Sequence, residues 1–480
     1  MRNFVEGLTL RHPSALLQLL ECLSLPSEDW LDHITLDGMD PVVPSRYRAG
    51  LASALALAAQ GIAIGQIWRM RGYGTQKIRL SLQKAAVPGL RTLAYVRRGP
   101  HALQLQRPAS EDQVFFPTRD GRQMYLLRHA FYHEHFSRLL TCLDCSAATE
   151  SIARAVARHD ALELENTLAE AKAMGAIARS ETEWLDHPQG RHLAPRIPVE
   201  LIRLDDSEAE PFARKAKRPL EGIRIVDMGH VLAGPVVSRT LAEHGAEVIH
   251  VSAPHMPDPT HVIADTGFGK RTAFVDLRQR DDREGLLRLI KGADVFVHSW
   301  RPGSLDAFGL SPENLTALRP GLVYASVSCY GSTGPWANRA GYDPFGQVVS
   351  GLAVGEGDMD NPRLASTFTL NDYLAGYCAA AGVSAALIAR AKFGGSHEVR
   401  VSLTGTSMWL QQLGKLPPAE WPDGPKGVTA LPGVGAEDLM VSRTPFGTLQ
   451  HARPITHFSE TPGYWTTPPM PAGATELSWE

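Results

Sequence analysis

The stretch PLEGIRIVDMGHVLAGPVVSRTLAEHGAEVIHV, residues 219–251, decides the fold. It opens on a short β-branched run, Gly222–Asp227, passes through a segment of helical character at Val236–His244, and ends on a second strand, Ala246–Val251. The alternation continues downstream. TAFVDL (Thr272–Leu277) reads as a strand and Gly285–Ile290 as part of a helix, while ADVFVHS (Ala293–Ser299) and LVYASVS (Leu322–Ser328) read as further strands. Strands alternating with helices imply βαβ units, and so an α/β fold with a doubly wound parallel sheet covered on both faces. Ligands bind beyond the carboxyl ends of such strands, which points to the loops after Asp227, Leu277, Ser299 and Ser328.

Outward from this segment, DDSEAEPFARKAKRP (Asp205–Pro219) has the charge and proline content of a linker. From Leu416 the chain is rich in Pro, Gly and Thr with little periodicity, as expected of a tail that wraps a surface without a core of its own. An internal repeat is also visible. YRAGLASALALAA…RGYGTQKIRLSL (Tyr47–Leu82) parallels YLAGYCAAAGVSAAL…KFGGSHEVRVSL (Tyr373–Leu403): a small-residue helix, a Gly turn, then a strand ending in Arg-x-Ser-Leu. Helices so rich in alanine and glycine let backbones approach closely, so each is expected to lie buried against a sheet. Asp372 precedes the second Tyr and Arg46 the first, which makes the second copy the one suited to chemistry.

The 480 residues are 44% apolar and 21% charged with a net charge of −3, a globular composition with room for two or three domains. No basic run with interleaved aromatics argues for nucleic acid, and MRNFVEGLTLRHPS lacks the pattern of a secretory signal. The apolar run Ala54–Trp68 is broken by Gln60 and Gln66 and is short for a membrane span, so no membrane partner and a cytoplasmic location are expected. The five cysteines are too scattered for a disulfide framework. Cys142 and Cys145 form a C-x-x-C with no second pair to complete a zinc site, so no metal is expected.

Three loops and one helix start carry candidate chemistry. HVLAGP (His230–Pro235) lacks the full G-x-G-x-x-G of a dinucleotide site and reads as a tight βα turn, with His230 either a ligand contact or a polar loop residue. In FGKRTAFVDL (Phe268–Leu277), Lys270 and Arg271 either receive phosphates or are solvated surface charge. In HSWRPGSLDAFGL (His298–Leu310), Trp300 could stack on an adenine or pantetheine and Arg301 could meet phosphate. Asp372, just before a helix expected to start near Leu374, reads first as an N-cap worth ~1 kcal/mol. The same helix dipole would keep its carboxylate ionised, which suits a nucleophile.

Six ordered motifs carry a resemblance. The stretch 219–251, GKRTAFVDL, ADVFVHSWRPGSLDAFGL, YASVSCYGSTGP, GYDPFGQVVSG and NDYLAGYCAAAGVSAAL follow one another as in family III CoA-transferases, the formyl-CoA transferase and carnitine CoA-transferase group. FFPTRDGRQMYLLR (Phe115–Arg128) and EWLDHPQGRHL (Glu183–Leu193) resemble the small domain that in the family follows the catalytic helix, and RTPFGTLQHARPITHFSETP (Arg443–Pro462) resembles its closing segment. The chain therefore resembles the family in the order later half, earlier half, tail. The domains expected are a partial repeat of the large domain with a silent catalytic helix (1–105), a smaller α+β domain (106–204), a linker (205–218), a Rossmann-like CoA-binding domain (219–412) and the wrapping tail (413–480).

The resemblance implies transfer of CoA from an acyl-CoA to a free carboxylic acid, with no permanently bound cofactor. Asp372 matches the aspartate that attacks the thioester to give a mixed anhydride, and then carries CoA as an aspartyl thioester. CoA contacts are implied at His230, Leu232, Ala233, Val275, Arg278, Ser299, Trp300, Arg301 and Phe308. Several positions depart from the family pattern: Ser252 where Glu is usual, Ala307 for a phosphate-binding Arg, and Cys329 for a Gly. Related racemases carry a His where this chain has Tyr342, a poor base near neutral pH, which favours transfer over racemisation. A racemase or isomerase and a non-catalytic CoA-binding paralogue remain the alternatives. A homodimer and a single-chain pseudo-dimer both stay open.

Overall fold

The computed structural model describes residues 13–26, 29–103, 114–128 and 133–480. The expectation of no secretory signal falls on a segment whose residues 1–12 lie outside the described ones. The architecture is mixed α/β, built on a seven-stranded sheet with three smaller sheets around it. In chain order the large sheet's strands are β1 (Glu200–Arg203), β2 (Arg224–Met228), β3 (Glu247–Ser252), β4 (Lys270–Phe274), β5 (Val295–His298), β6 (Val323–Ser328) and β7 (His397–Ser402). Their spatial order is β4-β3-β2-β5-β6-β7-β1. All neighbours are parallel except the edge strand β1, which runs antiparallel to β7. The order reverses between β2 and β5, and that reversal opens a crevice at the carboxyl ends of these two strands.

Alternation along the strands feeds two cores. Ile225, Val248, Val295, Val297, Val323 and Ala325 face one side, and the helices Ala233–Ala242 and Leu370–Phe393 cover them. Val226, Ile249, Phe296 and Tyr324 face the other side, against Leu286, Leu289 and Ile290 of the helix Arg280–Lys291. A side-chain period of two puts successive residues on opposite faces, so burying both faces demands nearly continuous apolar strands. The strands and helices observed lie within a few residues of those read from the sequence, with β1 as the addition.

A third core, including Phe116, Met124, Leu139, Ile152, Leu164 and Ile177, lies between the helices of residues 133–170 and an antiparallel three-stranded sheet, Phe115–Pro117, Gln123–Leu126 and Gly175–Ile177. The proposed linker is irregular as expected, yet it is tied down. Glu210 pairs with Arg319 at 2.5 Å, and the carbonyls of Ala213 and Ala216 accept from Arg71 and Tyr73. The tail does more than wrap. Leu439–Thr444 and Gly447–Ala452 form a hairpin that joins Arg97–Arg98 in a sheet, and Trp479 donates to the Leu289 carbonyl at 2.9 Å.

The two segments read as parallel in the sequence take a similar local form. Ala49–Met70 connects two parallel strands, Ile34–Asp37 and Ile78–Ser81, just as Leu370–Phe393 connects β6 and β7. Each copy's second strand ends in a serine that caps a following helix, Ser81 accepting from Lys84 N and Ser402 from Gly405 N. The two long helices pack against each other in the centre of the molecule. Both are long and apolar enough to cross a membrane, with mean hydropathies of 1.5 and 1.4, so the apolar run in the first is longer than Ala54–Trp68 suggested. In this structure 94% of each apolar window is buried, which makes them core helices. Gly376 shows why small residues are needed: a Cβ there would lie 2.5 Å from Val236 and 3.1 Å from the Ala233 carbonyl oxygen.

Candidate active site

The helix of the second copy begins at Leu370, four residues earlier than the sequence suggested. Asp372 therefore lies inside its first turn and is not the cap, a position held by Thr369, whose side chain makes no capping bond. The half-buried Asp372 is paired with Asp343, the first residue of the helix Asp343–Val349. The Asp372 N–H donates to Asp343 Oδ2 at 2.8 Å. Asp343 Oδ1 accepts from Gln347 Nε2 at 2.5 Å and from Asn371 Nδ2 at 3.3 Å. Asn371 is itself fixed, its Oδ1 accepting from Thr406 and Ser407 at 3.2 and 3.0 Å.

Burial pushes the Asp343 carboxyl up to about 7, although the Gln347 and Asn371 bonds oppose this. Burial, with repulsion from Asp343 second, raises Asp372 well above the ordinary carboxylate range. The charge of Asp343 thus makes ionisation of Asp372 harder still. Asp343 accepts several hydrogen bonds and so is the better holder of the negative charge.

The loop after β2 runs alongside. Val231 has φ +63°, strained for a β-branched residue, and its N–H donates to Asp258 Oδ1 at 2.8 Å. His230 Nδ1 lies 2.7 Å from the same oxygen, and its backbone N–H donates to Ser299 Oγ at 2.8 Å. The imidazole stacks on Trp300 with centroids 5.3 Å apart, while Trp300 Nε1 donates to the Met228 carbonyl. Strand order explains the meeting, because His230 follows β2 and Ser299 and Trp300 follow β5 on either side of the crevice.

Behind this loop lies a buried charge chain. Asp227 Oδ2 accepts from Lys270 Nζ at 2.9 Å and Ser238 Oγ at 2.6 Å, and lies 3.1 Å from His250 Nδ1. His250 Nε2 reaches Asp258 Oδ2 at 3.6 Å. Burial alone would lower His250, but the Asp227 carboxylate lifts it to about 9. Lys270 is thus neither a phosphate ligand nor a surface charge, as it is 1% exposed and ion-paired in the core. Arg271 pairs with Glu247 at 2.5 Å.

A cleft of about 150 Å³ lies beside the crevice, lined by Lys172 from the N-terminal half together with Arg301, Tyr330, Trp336, Arg339 and Ala340. Arg339 lies over Trp336 at 4.0 Å and donates to Asn166 Oδ1 at 2.8 Å. Ala340 lies three residues before Asp343 in the chain. Ser252 Oγ and Ser328 Oγ, at the carboxyl ends of β3 and β6, are buried without a hydrogen-bond partner among the described residues.

Residues 220–417 match the sequence model of CoA-transferase family III. This part of the chain is similar to that family. Acetyl-coenzyme A transferase nodX of Hypoxylon pulicicidum is 32% identical over 340 residues, 64% of this chain and 56% of that protein. Acetyl-CoA:oxalate CoA-transferase of Acetobacter aceti is 33% identical over 42% of this chain and 55% of its own length. Succinyl-CoA–D-citramalate CoA-transferase of Chloroflexus aurantiacus is 32% identical over 40% and 50%. The chain thus spans about half the length of the curated relatives it matches. A CAIB/BAIF family protein from Brucella suis aligns in structure with 27% identity and a TM-score of 0.39 over 48% of this chain and 65% of that one.

Within residues 220–417, the candidate CoA contacts follow the carboxyl ends of β2, β4 and β5 but are not equally placed. His230, Ser299 and Trp300 meet directly, and Arg301 opens onto the cleft. Leu232, Ala233 and Val275 are buried in the cores, so their side chains are packing residues first. Trp300 already has one face covered by His230. Arg278, beyond β4, is bound to Asp276 at 2.7 Å and to His255 Nδ1 at 3.1 Å, and Phe308 packs half-buried on the second core. Sequence reasoning missed Asp343, Asp258 and Gln347. The GYDPFG motif contained the first, and an acid beside a helix-starting proline was the available signal.

Proposed function

We propose that this chain transfers CoA from an acyl-CoA to a carboxylic acid, with Asp372 as the nucleophile. The observation that carries the reading is the Asp343–Asp372 pair in the first turn of the Leu370–Phe393 helix, within the segment similar to family III. In the resting site Asp343 holds the charge and Asp372 the proton. Once deprotonated, Asp372 is a carboxylate largely stripped of water, and it attacks the thioester carbonyl to give a mixed anhydride. The CoA sulfur then attacks the aspartyl carbonyl, and the resulting aspartyl thioester passes CoA to the acceptor acid. Several easier steps replace one hard exchange.

The crevice between β2 and β5 suits the pantetheine arm, and the cations of the cleft suit an anionic group of CoA or of the acceptor. Lys172 and Arg339 come from different halves of one chain, which favours a site completed within a single subunit.

Turnover tests this reading, with acetyl-CoA and succinyl-CoA as donors and oxalate, malate and citramalate as acceptors, on the wild type, Asp372→Ala and Asp372→Asn. Transfer by the wild type and its loss in both variants is expected. Unchanged transfer by Asp372→Ala overturns the assignment. A second reading, CoA binding without catalysis, draws on Arg278, whose guanidinium is already bound to Asp276 and is less free for phosphate. Binding of CoA by calorimetry with no turnover on this panel would favour it.

A further inference from the structure

With the proton on Asp372 at rest, anhydride formation needs a base to remove it, and a proton handed on to the departing CoA sulfur makes it a better leaving group. The loop after β2 holds a group built for this. His230 Nδ1 is fixed by Asp258 at 2.7 Å, its backbone by Ser299, and its ring plane by Trp300, which leaves Nε2 as the working atom. Asp258 is in turn anchored by the Val231 N–H and by His250, whose other nitrogen rests on the Asp227–Lys270 ion pair. An imidazole oriented through one nitrogen by a buried carboxylate is the arrangement that makes histidine an effective acid and base. The strained Val231 backbone is maintained by the same Asp258 oxygen.

The loop also leads into a helix packed against the one that carries the nucleophile. The Ala233 carbonyl sits 3.1 Å from the position of a Cβ on Gly376, one helical turn after Asp372. Tyr342, adjacent to Asp343, feels the charges of Arg301, Asp258 and Asp372 together, which brings the two acidic centres around one side chain.

We propose that His230, oriented by Asp258, shuttles the proton between Asp372 and the CoA sulfur. Nε2 takes the proton from the Asp372 carboxyl. The freed oxygen forms a C–O bond to the thioester carbon, the C–S bond breaks with its electron pair leaving on sulfur, and Nε2–H protonates that sulfur. The products are the mixed anhydride, CoA thiol and neutral imidazole. In the next step Nε2 takes the thiol proton back as sulfur attacks the aspartyl carbonyl and the donor carboxylate leaves. This role rests on the reading of Asp372 as nucleophile. It uses His230 as an acid–base group, whereas a CoA contact there would only bind.

The test is first-turnover release of CoA thiol from acetyl-CoA in the full-length chain, for the wild type, His230→Gln and Asp258→Asn across pH 5–9. His230→Gln should slow release by ~10²-fold or more, with CoA affinity by calorimetry unchanged and the histidine limb of the pH–rate profile gone. Asp258→Asn, which leaves the imidazole in place, should lose less. Unchanged release by His230→Gln, or a loss confined to KM, overturns the shuttle while leaving the nucleophile in place. Absence of any thiol release from the wild type overturns both. Should Asp258→Asn fail to fold, His230→Gln decides alone.

Discussion

Two segments of the molecule carry a long helix between parallel strands, and they differ in what meets the start of that helix. At Leu370–Phe393, Asp343 accepts the Asp372 N–H and the Asn371 side chain, leaving a second acid beside it. At Ala49–Met70, Glu356 accepts the Arg46 N–H at 2.8 Å and the Ser45 hydroxyl at 2.5 Å. Both clamping acids come from residues 343–356, one near each end. Arg46 then donates to the Gly357 carbonyl and to Asp423, and its guanidinium lies 4.5 Å from the Trp421 ring centroid. Glu356 thus has a cation and hydrogen-bond donors around it, whereas Asp343 has a second acid beside it, and the two long helices pack against each other.

Substitutions at the two helix starts should behave oppositely. Asp372→Ala should reduce kcat/KM by about 10⁴-fold or more, the scale of deleting a covalent nucleophile, with little change in melting temperature. Asp343→Asn should keep the side chain's shape, lose an accepted hydrogen bond on one side and remove the repulsion that adds to burial in raising Asp372, so the acid limb of the rate profile should move to lower pH. Its effect on stability has a defined sign. A carboxyl raised to about 7 in the fold stabilises at low pH, below its unfolded value near ~4, and that contribution is lost as pH rises through about 7. Asp343→Asn should flatten this dependence in melts between pH 4 and 8.

Arg46→Asp puts a second acid beside Glu356 without converting the copy into a site. It should cost about 1–3 kcal/mol in denaturant unfolding and should not rescue Asp372→Ala. The smallest effect is expected at the cleft, where Lys172→Ala or Arg339→Ala should raise KM for CoA thioester or acceptor only severalfold. Measuring acetyl-CoA against acetyl-dephospho-CoA, and dicarboxylates against monocarboxylates, tells which substrate the cations hold.

The parallel sheet was legible because its strands must be apolar on both faces, and that pattern is local. The sequence singled out Asp372 by its contrast with Arg46 as well as by resemblance. Features that depend on distant residues meeting were not. Lys270 looked like a surface or phosphate-binding cation because nothing in GKRTAFVDL reveals that Asp227, 43 positions away, waits in the core. Trp300 looked free for an adenine because its stacking partner, His230, lies on another strand's loop. Asp343 sits 29 residues before Asp372 and becomes its partner only through the packing of two helix starts. Strand β1 escaped notice because a short edge strand with half-exposed side chains has too little period to read.

The most direct test of the central claim is to trap the reacting carboxyl. The wild-type chain turning over acetyl-CoA in hydroxylamine, then digested and analysed by mass spectrometry, should yield a hydroxamate on the peptide carrying Asp372 and none on the peptide carrying Arg46. Turnover at full rate with no modification of Asp372 would contradict the account.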